Sequence, residues 1–367
     1  ADILFDSVKL RLRSDAPLGL SLSGGLDSTL LLSLVNEAGV KKPPVFSSSY
    51  PEPGYNEKEY FDAAVASLGC EARYAETKAE NFILDFEKLI YHLEQPSKLP
   101  GPFSLWRVSA LAARHVKVLL DGQGPDELAG GYMYFLPSAF RDSSLLRKIL
   151  GSPDFAMTLW SNRHILKQYP LSVILERVMG RPSSNRLIPV RKGWAHRFEN
   201  EKPEWSNTTK LNTMLSDALT RTSLPALLRY GDRVNMAFGI ENRCPYLDHR
   251  LVEFVSSLPA HMKVHGGTTK WVFRMVAKNR IPKSILERRI KLGFPTPVGE
   301  WYRNVLLDDS RRRLAEYGEI PLFREWIDIP AVGEILSRHA AGKAEHQALL
   351  WRILSTGEWL KAFHFQE

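Results

Sequence analysis

Residues 19–34 read GLSLSGGLDSTLLLSL, and the six residues from Ser23 to Ser28 pack two glycines, two serines and an aspartate between an apolar run and a helix-like run. Gly24 and Gly25 can take positive backbone angles and let the main chain approach a ligand closely. Free N–H groups of a turn that opens a helix, with the helix dipole behind them, form an anion site, and Ser23 and Ser28 add hydroxyl donors. Asp27 adds negative charge where a phosphate would bring its own; a divalent cation such as Mg²⁺ resolves the conflict by bridging the carboxylate to phosphate oxygens. A plain strand-to-helix turn with Asp27 or Ser28 as N-cap is the alternative. A second stretch, VKVLLDGQGPDELAGGY over 116–132, takes a buried apolar run into a glycine-rich loop and delivers Asp126. Read alone, Asp126 either caps the next helix or binds metal. Two carboxylates from separate strand ends can hold Mg²⁺ ions that neutralise phosphate charge.

These loops need a sheet to bring them together. LGLSLS (18–23), PPVFSSSY (43–50), EARYAET (71–77) and VKVLLDG (116–122) read as strands, with helical patterns at about 28–38, 56–69, 80–94 and 104–115. Such alternation predicts an α/β fold, a parallel sheet with helices on both faces, whose ligands bind beyond the carboxyl ends of the strands. From about residue 141 the strand signal ends, and a mostly helical extension is expected. GRPSSNR (180–186) and NEKPEWSNTTK (200–210) read as long connections before a second ordered block from 223. The organisation expected is a nucleotide-binding region over 1–140, a helical and loop-rich insertion over 141–222 and a helical region over 223–367 that completes the site. The Trp351, Leu354 and Trp359 stripe reads as core packing, and Arg311, Arg312 and Arg313 as a solvated helix face.

Composition narrows the classes. With 367 residues, 44% apolar and 25% charged, the chain has the make-up of a globular protein. No run reaches the roughly 20 apolar residues of a membrane span and no signal-peptide pattern opens the chain, so a cytoplasmic protein with no membrane partner is expected. Two cysteines, Cys70 and Cys244, suit reduced thiols. A net charge of +8 suits an anionic partner. No aromatic-interleaved basic stripe accompanies it, so nucleic acid is not the expected one.

The stretch SGGLDS resembles the pyrophosphate loop of ATP-pyrophosphatases, which cleave ATP between its α- and β-phosphates. With HLEQP, DGQGPDELAGGY, LPALLRYGDRVNMAFGIENRCPYLDHRLVEF, KWVFR, IPKSILERRIKLGFPTP and LLWRILSTGEWL, nearly the whole chain resembles the synthetase domain of glutamine-dependent asparagine synthetases, whose relatives include β-lactam synthetase and lasso-peptide cyclases. HLEQP is similar to a family pattern His-Leu-acidic-acidic-Pro. The resemblance implies an adenine-nucleotide hydrolase-like sheet extended by helices. It also implies ATP phosphates on Ser23, Gly24, Gly25, Asp27 and Ser28, Mg²⁺ on Asp27 and Asp126, and adenine and ribose framed by the main chain at Ser21, Ser48 and Gly122. Lys291 would contact the α-phosphate and the developing intermediate, and Lys270 matches a second family lysine of less defined role.

Two departures stand out. Gln123 occupies a position where asparagine synthetases usually carry glutamate, and a glutamine cannot take a proton from the attacking amine. Asp121, two residues earlier, stands where serine is common in the family; positions two apart share a face of an extended segment, so Asp121 is expected to replace the missing carboxylate in part. The N-terminal cysteine with which the parent enzymes hydrolyse glutamine has no counterpart in Cys70 or Cys244. The nitrogen would then come from a glutaminase domain or subunit, free ammonia or another amine, and a chain without an initial methionine is expected to be an excised or processed piece. The implied function is adenylation of a small-molecule carboxylate, aspartate by precedent, followed by aminolysis. A specialised amide ligase or cyclase, a tRNA-modifying ATP-pyrophosphatase and a non-catalytic nucleotide sensor are the competing readings.

Overall fold

Alternation along the apolar runs decides which helix each strand residue meets. In the computed structural model, which describes residues 1–55, 57–136, 138–139, 210–288 and 296–363, strands β1 (Leu18–Ser21), β2 (Pro44–Ser49), β3 (Glu71–Glu76), β4 (Val118–Leu120) and β5 (Glu241–Arg243) form one sheet. Its order is β3-β2-β1-β4-β5 and every neighbouring pair is parallel. The first region also supplies helices α1 (Asp2–Arg11), α2 (Leu26–Glu37), α3 (Lys58–Leu68), α4 (Ala79–Leu93), α5 (Gly101–Ala112) and α6 (Pro125–Ala129). Successive strand side chains face opposite ways. Val118 and Leu120 accordingly share a core with Leu20, Val45, Leu30 of α2 and Leu4 of α1, while Leu119 and Phe46 share another with Val108 and Ala112 of α5. Both faces are covered, as a parallel sheet requires.

One expectation fails here: strand structure does not end near residue 141. β5 pairs with β4, Arg243 lying opposite Leu120. Its residues, Glu241, Asn242 and Arg243, are polar and carry no apolar alternation; it is a strand because the exposed edge of β4 accepts it. Short charged strands of this kind are common at sheet edges.

The remaining described residues form α7 (Leu211–Asp217), a π-helical turn (Ala218–Thr222), α8 (Leu224–Met236), α9 (His249–Ser257), α10 (Trp271–Ala277), α11 (Leu307–Gly318), α12 (Ile329–Ala340) and α13 (Gln347–Ala362), with shorter helical turns between them. The long connections expected at 180–186 and 200–209 lie outside the described residues. Trp351 and Leu354 sit in a second large core with Phe82 and Phe86 of α4, and Trp359 packs against its edge, so the tryptophan stripe is core packing. The basic run is split. Arg311 and Arg312 pair with acids on the exposed side of α11, but Arg313 is buried and pairs with Asp309 and Glu358. One turn of a helix cannot keep three consecutive side chains on one face.

The late chain is bolted to the early chain by polar contacts. Ser7 Oγ donates to the Pro245 carbonyl at 2.6 Å, and Arg11 pairs with Asp248 at 2.7 Å. Asp248 also caps α9 through the Arg250 N–H. Of the charged residues Asp232, Arg233, Glu241, Arg243 and Asp248, only Asp248 is buried; Asp232 and Arg233 are exposed, with Arg233 pairing to Glu94, and Arg243 donates to Glu241 and to the carbonyls of Arg11 and Arg13. Both thiols are free, and burial pushes Cys70 up to about 11 and Cys244 higher still, where neither is reactive at neutral pH. Among the described residues no helix is long and apolar enough to cross a membrane.

Hydrogen bonds from Arg250, and then from Arg11, hold the Asp248 carboxyl well below the usual carboxylate range. A depressed folded-state pKa contributes stability that is present above the unfolded value, about 4, and lost as the pH falls through the folded value. Asp248→Asn should therefore cost about 1–3 kcal/mol at pH 7. Urea unfolding should show the gap between variant and parent narrowing at pH 3; an unchanged gap would remove Asp248 from the clamp.

Candidate active site

The sheet order reverses at β1: β2 and β3 lie to one side, β4 and β5 to the other. The crevice outside the carboxyl ends at such a switch point is the ligand site of open parallel sheets. The two glycine-bearing loops leave β1 and β4, the strands that flank it. They touch. A Cβ on Gly122 would come within 3.2 Å of the Ser28 nitrogen and 3.3 Å of its Cα, so the second loop lies tightly on the first at a position without a side chain. Gly24 has φ +71°, and its Cβ would meet the Phe61 nitrogen of α3 at 2.5 Å. Register aligns Ser21 with Phe46, and Leu20 with Leu120, so Ser21, Ser48 and Asp121 all stand at the same edge of the sheet.

Neither aspartate is a helix cap. Gly25 is the N-cap of α2 and Gly124, with φ +114°, that of α6, which places Asp27 and Asp126 in the first turns. In the first loop Ser23 N–H donates to Ser28 Oγ at 3.2 Å, Gly25 N–H to Ser23 Oγ at 3.3 Å, and the two hydroxyls lie 3.2 Å apart. The loop therefore offers fewer open N–H groups than its sequence led us to expect. Leu26, Asp27 and Ser28 still head α2, where backbone N–H groups have no acceptor within the helix.

Lys270 joins the two acids. Its Nζ lies 2.5 Å from Asp27 Oδ2 and 2.7 Å from Asp126 Oδ1, and all three side chains are less than a tenth exposed. Lys270 starts α10 with φ +55°, and its N–H donates to the Ala129 carbonyl at 3.0 Å, so strained backbone holds the side chain in place. Gly131 leaves the room. A Cβ there would stand 2.0 Å from Asp126 Oδ1 and 2.1 Å from Lys270 Cε. Residues 27, 126 and 270 thus meet at one point, with two negative charges against one positive.

The donor set suits a hard cation in part. Two carboxylates converging on one point match the protein contribution to a Mg²⁺ whose other ligands are waters and substrate phosphates. Among the described residues no group of three or more His, Cys, Asp or Glu side chains could hold a metal. Asp27 and Asp126 are the residues that would hold such an ion.

Other side chains around the crevice gave little signal in the sequence. Glu127 is fully buried, and its Oε1 accepts from Tyr132 Oη at 2.8 Å and from Ser223 Oγ at 2.7 Å, which ties the second loop to the start of α8. Burial, and then the charge of Asp126, push its carboxyl up. Its adjacency to Asp126 in the run DELAGGY was the only hint. Tyr246 Oη donates to the Asp27 carbonyl at 2.9 Å from the fully buried base of the site. Asp121 is buried at the end of β4, its N–H on the Arg243 carbonyl at 2.8 Å, and Gln123 is half-buried two residues on. Lys291 lies outside the described residues.

Against this geometry stand the comparisons with known proteins. The family model described as asparagine synthase matches residues 1–361. The chain is 28% identical over 372 residues to asparagine synthetase (glutamine-hydrolyzing) 1 of Bacillus subtilis, across 98% of this chain and 58% of that protein. It is 28% identical over 384 residues to a putative asparagine synthetase (glutamine-hydrolyzing) of Mycobacterium tuberculosis, across 98% and 57%. It is also 26% identical over 320 residues to amidase chyE of Penicillium rubens, across 71% and 46%. The chain thus spans under two thirds of the length of each of these relatives.

Gly131→Ala should force the Asp126–Lys270 pair apart. We expect a loss of about 1–3 kcal/mol in denaturant unfolding, the usual range for overpacking, together with weaker nucleotide binding by titration calorimetry. Unchanged stability would mean that the pair is not held as described.

Proposed function

This chain belongs to the asparagine synthase family, and from that membership we propose that it is an ATP-dependent, AMP-forming ligase joining a carboxylate to a nitrogen donor. The convergence of Asp27, Asp126 and Lys270 at the sheet's switch point supports the reading most directly. In the proposed reaction a substrate carboxylate attacks the α-phosphorus of ATP, giving an acyl-adenylate and pyrophosphate; ammonia or an amine then attacks the acyl carbon and AMP leaves.

Mg²⁺, when bound, would neutralise the phosphate oxygens. The chain's own residues would do the rest. Asp27 and Asp126 would hold the ion from two directions. The N–H groups heading α2 and the hydroxyls of Ser23 and Ser28 would turn from each other onto phosphate oxygens, and the main chain at Ser21, Ser48 and Gly122 would frame the nucleoside. Lys270 would exchange part of its carboxylate contact for the leaving pyrophosphate, supplying charge where it accumulates. Lys291 would act at the α-phosphate. Holding the carboxylate in line with the departing group can lower the barrier by about 7–11 kcal/mol.

Aminolysis needs a proton acceptor, and Gln123 is not one. Asp121, buried at the same sheet edge, is our candidate for that role. Aspartate is the proposed carboxylate and ammonia the proposed nitrogen donor, delivered by a glutaminase domain or subunit where glutamine is the source. The changed turn also suits a specialised amide ligase acting on another acid.

Pyrophosphate release from ATP should be measured across a panel of carboxylic acids, with ammonia, glutamine and amines as donors. Release should depend on the acid, and Asp27→Asn or Lys270→Ala should lower it by about a hundredfold or more. Asp121→Asn should spare acid-dependent pyrophosphate release but slow amide formation. No release with any acid would remove the ligase reading, and amide formation undiminished in Asp121→Asn would remove the role given to that residue.

A further inference from the structure

A pocket of about 450 Å³ lies between the segment following α4, the middle of α8 and the face of α13, and none of its lining comes from the two glycine loops. Gln95, Lys98, Arg229, Tyr230, Arg352 and Thr356 are among the residues that line it; three of the lining side chains are cationic and none is acidic. Arg229 is half-buried. Its Nη1 donates to the Leu93 carbonyl at 2.6 Å and, with the Gln95 amide turned oxygen-inward, to Gln95 Oε1 at 2.7 Å. Both acceptors are neutral, so they satisfy its hydrogens without cancelling its charge. Burial works against the charged guanidinium. The neighbouring acid, Glu94, favours it from a distance but is paired with Arg233 at 2.9 Å.

The wall is held in shape from both sides. Lys98 N–H donates to Tyr230 Oη at 3.3 Å, and the Lys98 carbonyl accepts from Arg352 Nε at 3.2 Å, which fixes the segment to α8 and α13 through its backbone. Trp351 Nε1 donates to the carbonyl of Ser97, another lining residue, at 3.0 Å. These bonds use main-chain groups, the Tyr230 hydroxyl, the Trp351 Nε1 and the Arg352 Nε, and none of them takes up the Lys98 ammonium or the outer guanidinium nitrogens of Arg352. In the sequence HLEQP, Gln95 stands where the family pattern His-Leu-acidic-acidic-Pro has an acid that would have faced Arg229. Three like charges without an acid among them repel one another; a bound oxyanion would relieve that and gain charge-assisted hydrogen bonds.

We propose that this pocket is an anion site, distinct from the nucleotide crevice, that takes a small ligand through a carboxylate or phosphate group. Arg352 supplies planar donors, Lys98 a mobile charge, Tyr230 a hydroxyl, and Arg229 an uncancelled positive charge in the wall.

The test is titration calorimetry of the full chain, in which binding at one site gives a saturable heat. Non-hydrolysable ATP with Mg²⁺ is kept at saturation so that the nucleotide crevice is filled. Inorganic phosphate and succinate are titrated separately against chloride at matched ionic strength. A saturable heat with phosphate alone assigns a phosphorylated ligand, and one with succinate alone or with both assigns a carboxylate-accepting site. Gln95→Glu, nearly isosteric, places an anion on Arg229 and should weaken binding by about tenfold or more, the worth of one charged hydrogen bond. Arg352→Gln should weaken it in the same direction and carries the test if the first variant folds poorly. No saturable heat in the parent chain, or undiminished affinity in both variants, would overturn the proposal.

Discussion

Two carboxylates buried side by side repel one another unless a proton or a cation lies between them, and in this protein a cation, Lys270, does. Its ammonium reaches Asp27 and Asp126 from a different part of the chain and sets a positive charge between the two acids. Much of the surrounding architecture serves this contact. Gly131 has no side chain because the lysine stem and a carboxylate oxygen fill the space. Lys270 takes a left-handed backbone because α10 must begin beside the Ala129 carbonyl for the side chain to point inward. Desolvation makes removal of any one partner costly, about 3–5 kcal/mol for a broken buried pair, and makes the arrangement responsive to another cation.

The division of labour between sheet and helices follows from the same constraint. A parallel sheet with its order reversed at β1 presents two loop ends at one crevice, which brings Asp27 and Asp126 close. The sheet cannot supply the lysine; the late helices do. They can do so accurately because β5 is zipped to β4, Ser7 and Arg11 grip Pro245 and Asp248, and Glu127 ties the second loop to Ser223 at the head of α8. The described residues up to 139 and those from 210 onward are interlocked in one site.

Charge is distributed with opposite sign at the two places argued to bind ligands. Asp27 and Asp126 outnumber the Lys270 ammonium by one, and under the proposed function phosphate would be accepted through an added cation and the dipole of α2. The lateral pocket has three cations and no acid, and would accept an anion directly. The excess of basic residues in the composition is therefore a poor guide to either site, because local geometry decides which charges are already neutralised.

What the sequence determined by itself is local. Apolar runs and glycine-rich loops mark β1, β2 and β4 and the helices between them, since burial on both faces of a parallel sheet demands continuous apolar strands, whereas β3, at the sheet edge and largely exposed, is only weakly marked. The pairs Ser23/Ser28 and Asp27/Asp126 are legible because chemistry at a strand end needs those residue types within a few positions of the turn. Tertiary structure decided what depends on partners far along the chain. The edge of β4 made a strand of Glu-Asn-Arg; Lys270, to which the family resemblance gave no defined role, lies between two aspartates; Arg313 turned inward to Glu358, and Glu127 became a strut. None of these has a periodic signature, because each follows from a contact between residues dozens to hundreds of positions apart, and only the folded chain brings such residues together.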